Sequence, residues 1–229
     1  MSHRELEIRL NVPDAALGAV WAWLLELPGA FSLPMAATYF DTEASELAQA
    51  GWGLRLRREG ELWVQTLKGP ALDDLSRPEH EVPREVSAGR PALDLALHHD
   101  FALGAAVLAG LRRPLIPTFS TEIERLRVPL PLVDCAVEMA LDLGQIHAGG
   151  RSLRVQELEL EWKAGELGPL LDLAEALVRQ HGLLWEPRTK AARGHALSHG
   201  RVLAAPEADV ESTLTLLQHW REQARSPDA

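Results

Sequence analysis

The sequence has 229 residues, of which 46% are hydrophobic, and this is enough apolar material for one large domain or two small ones. Its formal net charge of −10 argues against a general binder of nucleic acid or of anionic membranes, because such proteins need basic surface to displace counterions. The single cysteine, Cys135, excludes an internal disulfide and a cysteine-based zinc site.

The N-terminal segment begins with alternating charges and has no apolar core typical of a secretion signal. The sequence also has no run of about 18 apolar residues, the length that a membrane-spanning helix needs. We therefore expect a cytoplasmic protein with neither a membrane partner nor a nucleic-acid partner.

Most of the first two thirds of the chain alternates polar and apolar residues, which is typical of strands with two unlike faces. The alternation predicts strands over 3–10, 34–41, 52–58, 61–68, 78–85, 115–128, 133–143 and 153–163, and a turn at Gly149-Gly150. Helical periodicity predicts helices over 14–27, 93–112, 166–182, 189–199 and 207–224. Because strands mostly follow strands, the pattern favours an antiparallel α+β fold.

The stretch 201–209 resembles a linker into a terminal helix that carries Leu214, Leu217 and Trp220. We therefore predict one domain over residues 1–200, followed by a linker and a C-terminal helix over 201–229. No internal repeat is visible in the sequence.

The predicted strands share one unusual property, a face that is almost entirely charged. The positions on this face are Glu5, Glu7, Arg9, Arg55, Arg57, Thr66, Lys68, Glu79, Glu81, Arg125, Arg127, Glu138, Asp142, Glu157, Glu159 and Glu161. A solvated face usually mixes residue types, whereas here carboxylates dominate some strands and Arg or Lys dominate others. If the strands close into a barrel with helices on its apolar outer face, the charged face lines an internal tunnel.

A charged interior is costly without a ligand, since an unpaired buried ion costs several kcal/mol. Carboxylates attract hard cations such as Mg²⁺ or Mn²⁺, and arginines grip phosphate oxygens as bidentate forks. A lining that carries both carboxylates and arginines fits a phosphate chain that binds together with metal ions. The alternative is an open sheet with a solvated polar face, which would bind neither metal ions nor phosphate.

A series of motifs occurs in order along the chain. It comprises Glu5-Leu6-Glu7-Ile8-Arg9, Tyr39-Phe40-Asp41-Thr42, Gly53-Leu54-Arg55-Leu56-Arg57, Thr66-Leu67-Lys68, Glu157-Leu158-Glu159-Leu160-Glu161 and Thr189-Lys190-Ala191-Ala192-Arg193-Gly194. With this series, residues 3 to 200 resemble the CYTH superfamily of triphosphate tunnel metalloenzymes, and most of all the bacterial inorganic triphosphatases. The resemblance implies an eight-stranded antiparallel β-barrel, or tunnel, with helices packed on the outside.

The resemblance also implies roles for particular residues. The implied ligands of Mg²⁺ or Mn²⁺ are Glu5, Glu7, Glu159 and Glu161. The implied phosphate contacts are Arg9, Arg55, Arg57, Lys68, Arg125, Arg127, Lys190 and Arg193. The implied catalytic residues are Glu5, Glu7, Arg9 and Lys190. Because Lys190 and Arg193 are three positions apart, we expect both on one face of a helix that closes one side of the tunnel.

Arg9 departs from the family signature E-x-E-x-K, which has lysine at this position. A lysine is a compact point charge that can lose its proton when buried, whereas an arginine stays charged. If the family lysine only contacts phosphate, Arg9 can replace it with a changed geometry. If it manages a proton on the attacking water, Arg9 lowers the activity. The sequence leaves both possibilities open.

The leading hypothesis is therefore a metal-dependent hydrolase of inorganic triphosphate, a small-molecule substrate, to pyrophosphate and phosphate. A class IV-type adenylyl cyclase and a thiamine triphosphatase are alternatives on the same fold. A further alternative is a non-catalytic module that binds polyphosphate or nucleotide. The four implied metal carboxylates are all present, which favours catalysis. The sequence does not predict the oligomeric state.

Overall fold

The computed structural model describes residues 4–85 and 89–224. His3, where the first predicted strand begins, lies outside the described residues. The elements in chain order are β1 (Arg4–Asn11), α1 (Asp14–Glu26), β2 (Phe31–Thr42), α2 (Glu46–Gln49), β3 (Gly53–Glu59), β4 (Leu62–Lys68), β5 (Ser76–Arg84), a 3-10 helix (Leu95–His98), α3 (Ala102–Ala109), β6 (Leu115–Leu132), β7 (Cys135–Ala148), β8 (Arg151–Gly165), α4 (Gly168–His181), β9 (Leu184–Trp185), α5 (Lys190–Ser198) and α6 (Val210–Ala224).

Eight antiparallel strands of the described chain form a closed barrel. Their order around the barrel is β5-β4-β3-β2-β6-β7-β8-β1, and β1 closes the ring by pairing with β5 from Arg4↔Pro78 to Leu6↔Ser76. The two-residue strand β9 adds to the far end of β1. The predicted α+β class and the eight-stranded antiparallel barrel are therefore confirmed.

The apolar strand faces point outward and carry the core. Ile8 and Leu10 of β1 pair in register with Leu160 and Leu158 of β8, and all four side chains are fully buried. They pack in one large cluster with apolar residues of α1, α4 and α6. Each fully buried leucine of this kind contributes about 1.5–3 kcal/mol of hydrophobic stabilisation. This packing covers one side of the barrel and leaves the charged faces directed inward.

The helix α4 illustrates how the sequence delimits these outer elements. Pro169 lies in its first turn, where a missing N–H costs nothing, and Gly182 follows its last residue with a positive φ of 65°. Its buried residues are Leu170, Leu171, Ala174, Leu177 and Val178. This spacing places one apolar stripe against the barrel.

The C-terminal helix α6 packs in the same core. Leu217 and Trp220 are buried in the main cluster, and the Trp220 indole N–H donates to Asp74 Oδ2 at 3.1 Å. The division of the chain into 1–200 and 201–229 stays a prediction, and residues 225–229 lie outside the described part. Among the described residues, no helix combines the length and the hydropathy that crossing a membrane requires.

Several predicted boundaries are wrong. The single helix expected over 93–112 is a 3-10 helix and α3, because the buried His98 ring contacts Gln65 in the barrel wall and interrupts the helical path. The helix expected over 207–224 begins at Val210, since Asp209 Oδ1 accepts the Ser212 N–H and caps it. β7 and β8 extend to the predicted Gly149-Gly150 turn, where both glycines have positive φ.

Candidate active site

The inward strand faces and the start of α5 line a cavity of about 270 Å³. Its acidic side chains are Glu5, Glu7, Glu79, Glu81, Glu138, Asp142, Glu159 and Glu161. Its basic side chains are Arg9, Arg55, Arg57, Lys68, Arg77, Arg125, Arg127, Lys163 and Lys190. All predicted site residues except Arg193 lie in this lining. Their roles in binding or catalysis stay predictions.

β5 pairs with both β1 and β4, and this brings Glu5 of β1 and Lys68 of β4 together. The Lys68 ammonium donates to both Glu5 carboxylate oxygens, at 2.7 and 2.8 Å. Burial acts to raise the pKa of Glu5, but the Lys68 charge outweighs it and holds that pKa below the ordinary value. Glu5 is therefore a charged carboxylate at neutral pH.

Glu79 lies on the other side of the same ammonium. Its Oε1 is 3.0 Å from Lys68 Nζ but accepts no hydrogen bond. Burial and the neighbouring carboxylates of Glu5 and Glu81 raise the pKa of Glu79 to about 8, against the opposing effect of Lys68. Burial and carboxylate crowding therefore favour the protonated form of Glu79, and protonation lowers the negative charge of this wall.

All three nitrogens of the Arg9 guanidinium group contact other groups of the protein. One terminal nitrogen donates to Glu7, the other donates to the Glu186 carbonyl oxygen at 3.2 Å, and Nε lies 3.7 Å from Glu159 and 3.9 Å from Glu157. The Arg9 side chain is 5% exposed. Burial acts to lower the pKa of Arg9, but the three carboxylates raise it above the ordinary value. Arg9 is therefore a permanent cation built into the wall.

An acidic cluster forms where β7 and β8 pair. Ligand oxygens of Asp142, Glu157 and Glu159 all lie within 4.8 Å of one another. Lys190 Nζ contacts Asp142 at 2.6 Å and Glu159 at 2.8 Å, and Arg125 donates to both of these carboxylates at 2.6 to 2.7 Å. The cluster is therefore neutralised by side chains of the protein itself.

This cluster differs from the predicted metal set. Glu159 belongs to both, whereas Asp142 and Glu157 were placed on charged faces but not among the metal ligands. Asp142 and Glu157 pair directly across β7 and β8, and this brings them into one group with Glu159. The pairing depends on the strand register. Glu5, Glu7 and Glu161 line the same cavity. Carboxylate oxygens are the donors that Mg²⁺ and Mn²⁺ prefer, so these residues fit a divalent cation of that kind.

A basic wall faces the cavity from β3 and β6, the two strands that flank β2. Arg55 and Arg57 both contact Glu81, at 3.3 and 3.2 Å, and Arg127 contacts Glu138 at 2.8 Å. Within residues 4–85 and 89–224, the buried Nε atoms of these three arginines have no hydrogen-bond partner. Burial and the neighbouring Arg55 charge lower the pKa of Arg57. Buried N–H groups and crowded positive charge are what an anion would satisfy.

The helix α5 closes one side of the cavity. Thr189 caps it by accepting the Ala192 N–H at 3.0 Å, and Gly194 lies against the Phe119 ring, where a Cβ atom would clash. This close approach directs Lys190 into the cavity. Arg193 lies on the same face, as predicted, but its side chain pairs with Glu157 behind the lining, so it does not reach the cavity surface.

One part of the lining is apolar, which the sequence analysis missed. Met35, Ala37 and Tyr39 of β2 and Ile123 of β6 face the cavity. The Tyr39 hydroxyl lies 3.5 Å from an Arg55 nitrogen; burial acts to raise the pKa of Tyr39, but Arg55 outweighs it and lowers that pKa. Arg77 and Lys163 were also missed, although strand alternation places them on the same faces as Glu79 and Glu161. The strand predicted over 78–85 begins one residue after Arg77, whereas β5 begins at Ser76.

A closed antiparallel barrel with opposed charges in its interior defines a class of protein, a charged-tunnel protein suited to a polyanion with cations. The profile of the CYTH domain family matches residues 3–195. The chain therefore belongs to the CYTH family, which confirms the resemblance that the motifs indicated.

Individual relatives agree with this assignment. The chain is 31% identical to an inorganic triphosphatase from Haemophilus influenzae over 170 residues, which cover 72% of this chain and 46% of the relative. The chain thus spans about half the length of that relative.

Two solved structures share the fold. One is a Hippeastrum protein described as a candidate adenylyl cyclase that reveals a dominant triphosphatase activity; its TM-score is 0.59 and its identity 18%, and the match covers 87% of this chain and 97% of that one. The other is a candidate adenylate cyclase from Bacillus halodurans; its TM-score is 0.52 and its identity 16%, and the match covers 78% of this chain and 91% of that one. At these identities the likeness concerns the fold alone.

Proposed function

We propose that this chain hydrolyses inorganic triphosphate to pyrophosphate and phosphate inside the charged cavity, with Mg²⁺ or Mn²⁺ as cofactor. The observation that carries the proposal is the set of buried guanidinium Nε atoms of Arg55, Arg57 and Arg127, which lie opposite a carboxylate wall and lack hydrogen-bond partners in the described part of the chain. A polyanion together with a cation satisfies both walls at once. The Haemophilus influenzae relative, named an inorganic triphosphatase, supports this substrate.

The basic wall binds the phosphate chain in this proposal. Arg55, Arg57, Arg125 and Arg127 donate to phosphate oxygens as forks, and Lys68 adds a point charge. Arg55, Arg57 and Arg127 already face the cavity before the substrate enters, so they need little reorganisation when charge develops in the transition state. Arg125 first has to release Asp142 or Glu159, to which its fork is bound. Enclosure within the barrel limits the number of water molecules near the reacting phosphate.

The acidic wall holds the divalent cation. Asp142 and Glu159, with Glu5, Glu7 and Glu161 on the same lining, would supply the oxygen ligands. Glu157 lies behind the lining and completes the cluster with Asp142 and Glu159. When bound, the cation neutralises phosphate oxygens and activates water. Lys190 contacts Asp142, Glu157 and Glu159. If these carboxylates held a cation instead, the Lys190 ammonium would be available to the phosphate chain.

A second candidate substrate is a triphosphate with an organic group, such as thiamine triphosphate or ATP. The apolar surface of Met35, Ala37 and Ile123 favours it, because an inorganic chain has nothing apolar to place there. For ATP, the reaction would be hydrolysis or cyclisation. The Hippeastrum protein, named for its cyclase likeness but described as mainly a triphosphatase, supports hydrolysis.

The test is a comparison of three substrates. Inorganic triphosphate, thiamine triphosphate and ATP are incubated with the chain, with and without Mg²⁺ or Mn²⁺, and phosphate, pyrophosphate and cyclic AMP are measured in the same samples. We expect phosphate and pyrophosphate from inorganic triphosphate only when a cation is present. Cyclic AMP from ATP would support the cyclase, and binding of triphosphate without product from any substrate would indicate a non-catalytic module. The cytoplasmic location stays a prediction.

A further inference from the structure

Arg188 lies outside the cavity lining and joins separate parts of the chain. Its Nε and one terminal nitrogen donate to the two Glu186 carboxylate oxygens, at 2.8 and 2.5 Å. Its other terminal nitrogen donates to the carbonyl oxygens of Leu203 and Ala204, at 2.9 and 2.7 Å. One guanidinium therefore ties the loop before α5 to the segment that leads into α6, which the fixed fork of an arginine can do and a lysine cannot.

Glu186 carries this link to the barrel. The residue is 2% exposed, its backbone N–H donates to the Arg9 carbonyl at 2.9 Å, and its own carbonyl accepts from the Arg9 side chain at 3.2 Å. Burial acts to raise the pKa of Glu186, but the hydrogen bonds from Arg188 outweigh it and hold the pKa below the ordinary value. The carboxylate is thus buried, charged and dependent on Arg188.

Two cavity cations depend on this loop. Arg9 is held at one of its nitrogens by the Glu186 carbonyl, while its remaining nitrogens face Glu7 and Glu159 in the cavity. Lys190 follows Arg188 by two residues and enters the cavity from the first turn of α5. A shift of the loop would therefore displace both positive charges.

The other end of the link is fixed by the C-terminal segment. The Trp185 N–H donates to Thr213 Oγ1 at 3.1 Å, and the Trp185 and Trp220 rings pack with centroids 4.9 Å apart. Leu217 is fully buried in the main core. Residues 201–209, which have no regular secondary structure, thus present the carbonyls of Leu203 and Ala204 from an anchored position.

We infer that Arg188 is a positioning residue for the site: it holds Glu186 against residues 203–204 and so keeps Arg9 and Lys190 in place. The kinetic part of this inference rests on the proposed triphosphatase activity. A positioning residue acts by keeping other groups at the correct distance from the substrate. A displacement of about 1 Å at a reacting group can lower the rate about 10²-fold.

The experiment compares four variants with the parent. Arg188→Ala removes the link, Arg188→Lys keeps the charge without the fork, and Arg188→Ala combined with Glu186→Gln removes the link without leaving a buried unpaired charge. Arg221→Ala is the matched control, because Arg221 holds α6 to α4 through Asp172 and Glu175 and does not touch the Glu186 loop. Turnover of inorganic triphosphate and the melting temperature are measured for each.

We expect Arg188→Ala to lower kcat by about 10- to 100-fold and Arg188→Lys to recover part of that loss. In the double variant, the melting temperature should recover, since no unpaired charge is buried, while kcat stays low. Arg221→Ala should lower the melting temperature and leave kcat within about twofold of the parent. If the double variant recovers kcat as well as its melting temperature, Arg188 has a purely structural role.

A second measurement does not depend on catalysis. The Nε–H resonance of Arg9, assigned by its loss in Arg9→Lys, should shift in Arg188→Ala and in the double variant but not in Arg221→Ala. If the parent releases no phosphate, the proposed function fails, while this resonance still tests the positioning. An Arg9 resonance that is identical in the parent and in Arg188→Ala would overturn the inference.

Discussion

Arg125 of β6 and Asp142 of β7 form a two-point ion pair across neighbouring strands. Arg125 Nε lies 2.6 Å from Asp142 Oδ1, and its terminal nitrogen lies 2.7 Å from Oδ2. Asp142 is fully buried and also contacts Lys190 at 2.6 Å. One carboxylate therefore balances two cavity cations, and its charge matters for folding before any ligand binds.

Asp142→Asn tests this balance, because it keeps the shape and removes the charge. We expect it to lower the free energy of unfolding by about 1–3 kcal/mol, as for a lost charge-assisted hydrogen bond, measured by urea denaturation. The control is Asp172→Asn, which breaks the exposed pair with Arg221 and should cost at most about 1 kcal/mol. Equal losses in the two variants would contradict a special role for the Arg125–Asp142 pair.

Arg57 and Arg58 are neighbours with opposite environments, which makes them a matched test of the basic wall. Arg57 faces the cavity with a side chain that is 10% exposed, whereas Arg58 is 47% exposed and pairs with Glu61 on the surface. We expect Arg57→Ala to reduce kcat/KM for inorganic triphosphate by about 10²- to 10³-fold, since it removes an electrostatic stabiliser of the transition state. Arg58→Ala should leave kcat/KM unchanged, and a comparable loss in both variants would refute phosphate binding by this wall.

Arg9→Lys separates the two possibilities that the sequence left open. A lysine cannot contact Glu7, the Glu186 carbonyl and Glu159 at once, so we expect a loss of about 1–3 kcal/mol in the free energy of unfolding. Turnover of inorganic triphosphate should not rise, because the guanidinium is integrated into the wall. A large gain in turnover, measured under the same metal concentration, would mean that Arg9 handicaps the reaction.

The strands could be predicted from the sequence because a period of two is a local pattern, whereas the closed eight-stranded barrel was implied by the resemblance to the CYTH superfamily. The charged face of Glu5, Glu7 and Arg9 was predictable for the same reason, since alternate residues of a strand share a face. The closure of β1 on β5, which places Arg77 opposite Glu5, is a long-range pairing that no local pattern signals. The helix face of Arg193 was predicted correctly. Its pairing with the Glu157 carboxylate could not be predicted without the register of β8.

The apolar part of the cavity shows a different limit of the sequence pattern. On β2, Met35 and Ala37 point inward although they are apolar, so the rule that charged residues line the tunnel fails for this strand. The break in the helix expected over 93–112 has a similar origin. His98 contacts Gln65, a residue 33 positions away, and helical periodicity carries no information about such a contact.

Ligand-linked stability tests the cavity as a binding site independently of turnover. A ligand that binds only the folded state at 100 times its Kd adds about 2.7 kcal/mol to the free energy of unfolding. We expect triphosphate with Mg²⁺ to raise the melting temperature of the parent and to raise that of Arg57→Ala less. Removal of the cation with a chelator should abolish most of the shift. If neither triphosphate nor Mg²⁺ changes the melting temperature, the cavity is excluded as their binding site.

The buried contact between His98 and Gln65 predicts an acid-sensitive region on the outer barrel wall. His98 is fully buried, its Nε2 lies 3.0 Å from Gln65 Nε2, and its Nδ1 lies 2.9 Å from His80 Nδ1. Burial, and then the neighbouring His80, lower the pKa of His98 from 6.5 to about 4, against an opposing effect of Asp94. Because Gln65 Nε2 is a donor, the facing His98 nitrogen must accept, which a protonated ring cannot do.

The sign of the pH effect follows from this depressed pKa. Between pH 6.5 and about 4 the unfolded chain binds a proton at His98 and the folded chain does not, so the stability present above pH 6.5 is lost as the pH falls through this window. We expect the free energy of unfolding of the parent to fall more steeply from about pH 7 to about pH 4.5 than that of His98→Gln, which has no proton to gain. The control His219→Gln changes an exposed residue of α6 and should keep the slope of the parent. Equal slopes for the parent and His98→Gln, measured by urea denaturation at each pH, would show that this contact does not govern the acid response.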